Sequence, residues 1–556
     1  MSALAALYAP HAWFLAVWIA SPIVLIVATR SWLTPSEAPT SHPIPTTRVD
    51  VAAIALAALF FCLYISLVLY GEDFVGADYA QLTAHQFFPM PIWPENRRFF
   101  PLGLQEYNLL GLIGKYAALY HAWSVVQLGM VIACVFRILE STPLWLRCAV
   151  CLFVAVVPSI AYAFFGLIYP ERDIIFWMSI WMVCLQAYWR TGSSIAFPCA
   201  LIAVQWMLYY KEIVFLMVGT FAVGKMLADA YLERPLKNLA AFGRAHALEL
   251  SHVMLCAVFL GVYLMEMRSS TGASYAINVG RQGAALAALQ FYMRWDLPLA
   301  ALLIAIVFRV AMVATRRRRI DPVWDALAVS AVIYVLAYVK LAMIKDYYPA
   351  PADFIAVLYL ARLMFAELAT TSRVVRFAMT AIIVLTFARN VRQLAYATLS
   401  RKEYVAANKQ MVDALQRVSR SERLDTISLY FPKVGGFQLM EFSAYLRYRG
   451  FYLPGDSTPR RPDQPVAIVR GPHRYVDERC EPFQYFRCAY APERAAGDFV
   501  IYLPGRAVSA DDLKDLGASP LFHFVPGSTG LERALDRVAL GEAPVDRPAH
   551  SYVFRP

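Results

Sequence analysis

The chain reads Gly71-Glu72-Asp73-Phe74-Val75-Gly76-Ala77-Asp78-Tyr79 directly after a long apolar run. Three carboxylates, Glu72, Asp73 and Asp78, fall within seven residues at the edge of a low-dielectric region. There they can take a proton from a hydroxyl nucleophile, because desolvation raises a carboxylate's pKa and makes it a better base. They also suit a divalent metal ion, although no spacing demands one. For a single turn of this kind, an acidic cap at a membrane boundary is the plainer alternative.

Three further turns repeat the pattern: Tyr169-Pro170-Glu171-Arg172-Asp173, Tyr209-Tyr210-Lys211-Glu212 and Lys345-Asp346-Tyr347-Tyr348-Pro349. Each combines charges and tyrosines where a turn needs only small polar residues. Interfacial aromatics and snorkelling lysines account for part of this, and a shared polar site on one face accounts for the rest. Between the first two motifs lies Pro94-Glu95-Asn96-Arg97-Arg98-Phe99-Phe100. Adjacent guanidiniums beside an interfacial apolar segment suit a phosphate, whose oxygens match their fork. That phosphate belongs either to a lipid-linked substrate or to ordinary membrane lipids.

The elements that must position these residues are membrane helices. Of 556 residues, 59% are hydrophobic and only 16% charged, which excludes an ordinary soluble protein. Twelve apolar stretches read as spans, at roughly 11–29, 51–70, 117–137, 147–167, 174–190, 195–210, 212–228, 250–267, 297–315, 323–343, 353–370 and 376–392. A porin is excluded because short alternating strands do not recur. A secretory signal is not expected, because the first apolar stretch lacks a basic leading region and a small-residue cleavage site. With the loop after the second span placed outside, the inner turns carry fifteen Lys and Arg residues, Arg316 to Arg319 among them, against nine on the opposite side. The positive-inside rule then puts all four motifs, and the tail from 393, on the outer face. The net charge of +11 reflects this flanking and gives no reason to expect a nucleic-acid partner.

Two outer loops, 71–116 and 268–296, are long. Within the first, Gln81–Met90 and Leu102–Ile113 are too short to span and are expected as interfacial helices. Residues 393–556 form an expected α/β domain: a polar helix over 400–423, strands over 426–431, 466–470, 498–503 and 521–525, and helices near 436–449 and 530–538. Its only cysteines, Cys480 and Cys488, are spaced for a disulfide in an oxidising compartment, with two free thiols as the alternative. Cys148 and Cys151 form a C-x-x-C without a second pair and read as packing. His121 and Glu266 lie in or near spans and lack a partner identifiable from sequence. The sequence contains no H-E-x-x-H, G-x-S-x-G, Walker or Rossmann motif, so hydrolase and nucleotide-driven pump readings lose their main support.

A carboxylate motif after an early span, an outer loop with interfacial helices, a second acidic motif two spans later and an outer C-terminal domain together resemble the GT-C superfamily of integral-membrane glycosyltransferases. Aminoarabinose transferases of lipid A and protein mannosyltransferases belong to it. In that family the acidic loop usually follows the first span, whereas here the linker 31–49 and a further span precede it. The resemblance implies an inverting glycosyltransferase in a bacterial inner membrane, with its site and tail facing the periplasm. The donor would be a polyprenyl-phosphate-linked sugar and the acceptor a glycan, glycolipid or protein. Asp73 or Asp78, beside Glu72, would match the catalytic acid of the first loop, and Glu171 or Asp173 the second acidic position. Arg97, Arg98, Lys211 and Lys345 would hold the donor phosphate. The rival readings are a transporter or flippase of lipid-linked glycans and an O-antigen polymerase or ligase. A transporter is expected to show repeated halves and polar groups near the bilayer midplane, whereas this sequence gathers its polar groups at one face.

Overall fold

Helix boundaries in this chain follow local capping chemistry. Thr47 and Asp50 form a reciprocal capping box that opens Arg48–Tyr64, and the second oxygen of Asp50 accepts the Trp145 backbone N–H at 2.8 Å, capping a neighbouring helix as well. Asp296 and Asp321 cap Leu297–Ala314 and Pro322–Lys340, each with a proline in the first turn, where its missing N–H costs nothing. Gly192, at φ 59°, closes Glu171–Thr191 in the left-handed region.

The computed structural model describes residues 8–32, 47–69, 71, 73–74, 82, 87–94, 97–233, 238–269, 283–368, 373–432, 436–454, 460–470, 496–503, 520–524 and 551–554. They divide into two units: Met1–Leu69, Pro89–Glu106 and His121–Asn390 make the first, and Tyr70–Phe88, Tyr107–Tyr120 and Val391–Pro556 the second.

The first unit is a bundle of apolar helices. Among the described residues, seven helices are long and apolar enough to cross a membrane, from Ala9–Thr29 to Pro322–Lys340. Leu144–Val156 and Pro158–Phe165, bent by 68°, form a broken apolar pair that brings the number to eight if the two are counted as one span. The bend has a local cause, since Pro158 holds Val157 in an extended conformation and interrupts the helical ladder. The twelve spans expected from sequence exceed this count. Ala196–Tyr210 is apolar but short, and Glu171–Thr191 and Ala350–Leu368 fall outside the measure, the former carrying Glu171, Arg172, Asp173 and Arg190.

These three helices lie in the interior of the unit. Glu171–Thr191 packs along Ala196–Tyr210, and Ala350–Leu368 packs on both Leu297–Ala314 and Pro322–Lys340, with Phe354, Ile355, Ala356 and Leu358 fully buried. By contrast, Ala12–Thr29 and Arg48–Tyr64 expose Ile23, Val24, Val27, Leu56 and Leu59, as helices facing lipid do. Ahead of the bundle's buried helices sits a two-stranded antiparallel hairpin, β1 (Ile92–Trp93) with β2 (Arg98–Phe99), which the sequence reading did not anticipate. Of the two expected interfacial helices, Leu102–Ile113 yields the six-residue helix Gln105–Leu110. Half of Gln81–Met90 lies outside the described residues, and 87–90 are not helical.

In the second unit, five strands form a sheet in the order β4-β3-β5-β7-β6, where β3 is Thr426–Tyr430, β4 Val466–Arg470, β5 Phe499–Tyr502, β6 Phe522–Phe524 and β7 Ser551–Phe554. β3 pairs parallel with β4 and β5, while β7 runs antiparallel to β5 and β6. The helix Gly436–Tyr448 connects β3 to β4, as a parallel pair requires. Four strands were expected within a residue or two, and β7 was not. The last expected span and the tail's polar helix merge into one 49-residue helix, Arg373–Ser421, which contains no glycine or proline to stop it. The helix expected near 530–538 and both Cys480 and Cys488 lie outside the described residues.

Candidate active site

In the first unit, polar side chains gather where several apolar helices begin or end. Arg172, one residue into Glu171–Thr191, is fully buried and donates to Glu106 at 2.7 Å while lying 3.2 Å from Asp173. Gln127 of Ala117–Ile138 donates to Asp173 at 2.8 Å. One guanidinium thus serves two carboxylates. Burial, reinforced by Asp173, raises the Glu106 pKa against the pull of Arg172, so Glu106 is more readily protonated than an ordinary glutamate.

Beside this group, Glu171 is ion-paired with Lys211, which follows Ala196–Tyr210; both are buried. The Lys211 ammonium also faces tyrosine rings, 4.1 Å from the Tyr348 centroid and 5.5 Å from that of Tyr338. Tyr338 and Tyr348 stack on each other at 4.4 Å. Burial lowers the Lys211 pKa, an effect that Glu171 offsets in part. Next along the chain, Glu212 accepts from Arg98 Nε at 2.8 Å and from the Phe99 backbone N–H at 2.7 Å, so the β1–β2 hairpin is pinned by the residue adjacent to Lys211. Arg98 lies over the Phe100 ring at 4.7 Å. Three buried oxygens here, Glu106 Oε2, Gln127 Oε1 and Glu171 Oε2, have no hydrogen-bond partner among the described residues. Buried polar atoms without partners are costly, and at a site they are positions a ligand's hydroxyls can satisfy.

The same end of the bundle holds a second acidic pair. Asp353, fully buried at the start of Ala350–Leu368, accepts from the Ser159 hydroxyl and interacts electrostatically with the capping residue Asp296. Burial raises the Asp296 pKa.

Asp73 belongs to the second unit. Its carboxylate is almost fully buried, accepting the Phe74 N–H at 3.0 Å and the Tyr445 hydroxyl at 3.2 Å, with Arg449 at 3.8 Å. Phe74 packs against Tyr120 and Tyr448 at 5.6 and 5.5 Å. Glu72 and Asp78 lie outside the described residues.

Of the residues singled out from sequence, the structure brings Glu171, Asp173, Lys211 and Arg98 into one connected region of the first unit. Arg97, at φ 54° in the hairpin turn, and Lys345 are exposed. Glu106, Gln127 and Glu212 were present in the quoted motifs or nearby spans without an assigned role, and Asp296, Asp353 and Ser159 were missed. A carboxylate at the head of an apolar helix was signal enough to flag Asp353; Asp296 had the plainer appearance of a helix cap. Cys148 and Cys151 are buried free thiols. Among the described residues, no three His, Cys, Asp or Glu side chains converge as metal ligands would.

These two units define a polytopic helical membrane protein with a C-terminal α/β unit. Neither a family model nor a curated protein matches the chain. Two solved structures are similar to it at low identity: ArnT from Cupriavidus metallidurans bound to undecaprenyl phosphate, 12% identical over 90% of this chain and 97% of that one, and the same protein in the apo state, 12% identical over 91% and 98%, both at a TM-score of 0.43.

Proposed function

We propose that this chain is a membrane glycosyltransferase that moves a sugar from a polyprenyl-phosphate carrier to a glycan, glycolipid or protein of the cell envelope. The observation that carries this reading is Lys211, a buried ammonium kept at the end of apolar helices beside Arg98 and Arg172. Each of these cations meets a carboxylate, Lys211 with Glu171, Arg98 with Glu212 and Arg172 with Glu106, and a phosphate whose lipid tail lies in the membrane is a further anion delivered to that depth, able to share them. Arg98 and Lys211 would hold the donor phosphate, with the exposed Arg97 and Lys345 contributing at the water side.

The acceptor hydroxyl attacks the anomeric carbon, its proton passes to a carboxylate, and the bond from that carbon to the phosphate oxygen breaks with inversion. Asp73 is the first choice for the base, with Asp78 and Glu72 as its neighbours in sequence, and Glu171 and Asp173 as the second acidic position. Negative charge grows on the departing phosphate, so cations that bind it more tightly in the transition state lower the barrier.

The test is a mass spectrum of envelope glycans from cells with and without the protein. The expected result is a mass increment of one sugar that disappears on deletion, returns with the wild-type gene and does not return with Lys211→Ala or Glu171→Gln. Identical spectra in all strains, with the protein expressed, would overturn the proposal.

A further inference from the structure

The tail of a membrane enzyme invites treatment as an accessory domain, and the second unit argues otherwise. The helix Gly436–Tyr448, which connects β3 to β4, ends beside Asp73, 372 residues away in sequence. Tyr445 donates its hydroxyl proton to Asp73 Oδ2 at 3.2 Å, and Arg449 donates through Nη1 to the Tyr445 oxygen at 3.0 Å. Nη2 of the same guanidinium bonds to Asp413 on Arg373–Ser421. The chain of bonds has a direction. A guanidinium only donates, so the Tyr445 oxygen accepts from Arg449 and its own proton has Asp73 as its acceptor.

Held from Oδ1 by the Phe74 N–H and from Oδ2 by Tyr445, the carboxylate cannot rotate about its last torsion. A buried base does its work only if its accepting oxygen is aimed within a few tenths of an ångström, and the supporting groups set that aim. We infer that Tyr445 and Arg449 are positioning residues for the Asp73 carboxylate, which makes the C-terminal α/β unit part of the catalytic machinery. This rests on the reading of Asp73 as the base. A buried ion pair serving only the fold would show the same bonds, and the two roles differ in what they change.

Full-length Asp73→Asn, Tyr445→Phe and Arg449→Lys are each expressed in cells lacking the wild-type protein. Three quantities are measured: the initial rate of envelope-glycan modification, the affinity of the purified protein for undecaprenyl phosphate, and the melting temperature. Asp73→Asn should abolish modification. Tyr445→Phe, which removes one oxygen, should slow it by at least ~10-fold while undecaprenyl phosphate affinity stays within about 2-fold and the melting temperature holds. Arg449→Lys keeps the charge without the fork and should fall between Tyr445→Phe and wild type. Wild-type rates in Tyr445→Phe, with Asp73→Asn inactive, overturn the positioning role and leave Asp73 as the base. A loss that follows melting temperature or probe affinity assigns the pair to the fold and also overturns it. An active Asp73→Asn removes the reading of Asp73, and this inference with it.

Discussion

Lys211 and Glu171 are each tolerable in the bundle only because of the other. Removing the lysine leaves a buried carboxylate without its counter-charge, so Lys211→Ala should cost on the order of 3–5 kcal/mol. Lys211→Met with Glu171→Gln removes both charges and should cost far less, because no unpaired ion remains. Melting temperatures of the two variants in detergent decide the matter, and equal losses would mean the pair is not a unit. Arg98 is a different case, being half-buried and bound to Glu212. Arg98→Ala should weaken undecaprenyl phosphate binding by about 1.5–3 kcal/mol, roughly one to two decades in affinity, whereas exposed Lys345→Ala should change it by much less. Equal effects from the two would assign Arg98 to general attraction of phospholipid.

At the scale of elements, the opposite end of the bundle carries its own polar group. Lys225 lies 2.8 Å from both Asp229 and Glu249, and His246 Nε2 lies 3.0 Å from Asp229, joining Val214–Leu232 to the start of Ala247–Glu266. Burial alone would lower the His246 pKa. The bonds to Asp229 and to the Phe242 carbonyl, with Glu249 nearby, outweigh burial and hold it above the ordinary 6.5. A His raised in the folded state contributes stability that is complete below its unfolded pKa and is lost as pH rises through the folded one. The melting temperature should therefore be level below about pH 6.5 and fall above it, and His246→Gln should remove that fall. A pH profile unchanged by His246→Gln would show that this junction does not titrate.

For the molecule as a whole, the charge bias of its turns predicts an orientation. We expect 393–556 outside the cytoplasm, so a reporter that works only after export should be active when fused after Ala397. Cytoplasmic activity at that point would place all four acidic turns on the wrong face for a donor handed over outside. In an exported tail, Cys480 and Cys488 are expected to be bonded, stabilising it by roughly 2–3 kcal/mol. Labelling of both thiols by an alkylating agent without reductant would rule that out.

Much of this was legible in order along the chain. Apolar runs of span length, the basic inner turns, the strands of the tail and the acidic turns that hold Glu171 and Lys211 are all local signals, because solvent transfer and hydrogen-bonding periodicity act on neighbours. Helix termini are set by equally local chemistry: Thr47, Asp296 and Asp321 each satisfy an N–H group three residues away. Which charge meets which was not. Arg172 sits beside Asp173 in sequence yet donates its shorter bond to Glu106, and Arg98 reaches Glu212 across 114 residues. The Asp73 carboxylate was readable as a candidate base, whereas Tyr445 and Arg449 looked like ordinary residues of an amphipathic helix. Only the tertiary structure could decide these partnerships, because a buried charge is stabilised by whatever packing brings within about 4 Å, and sequence distance has no part in that energy.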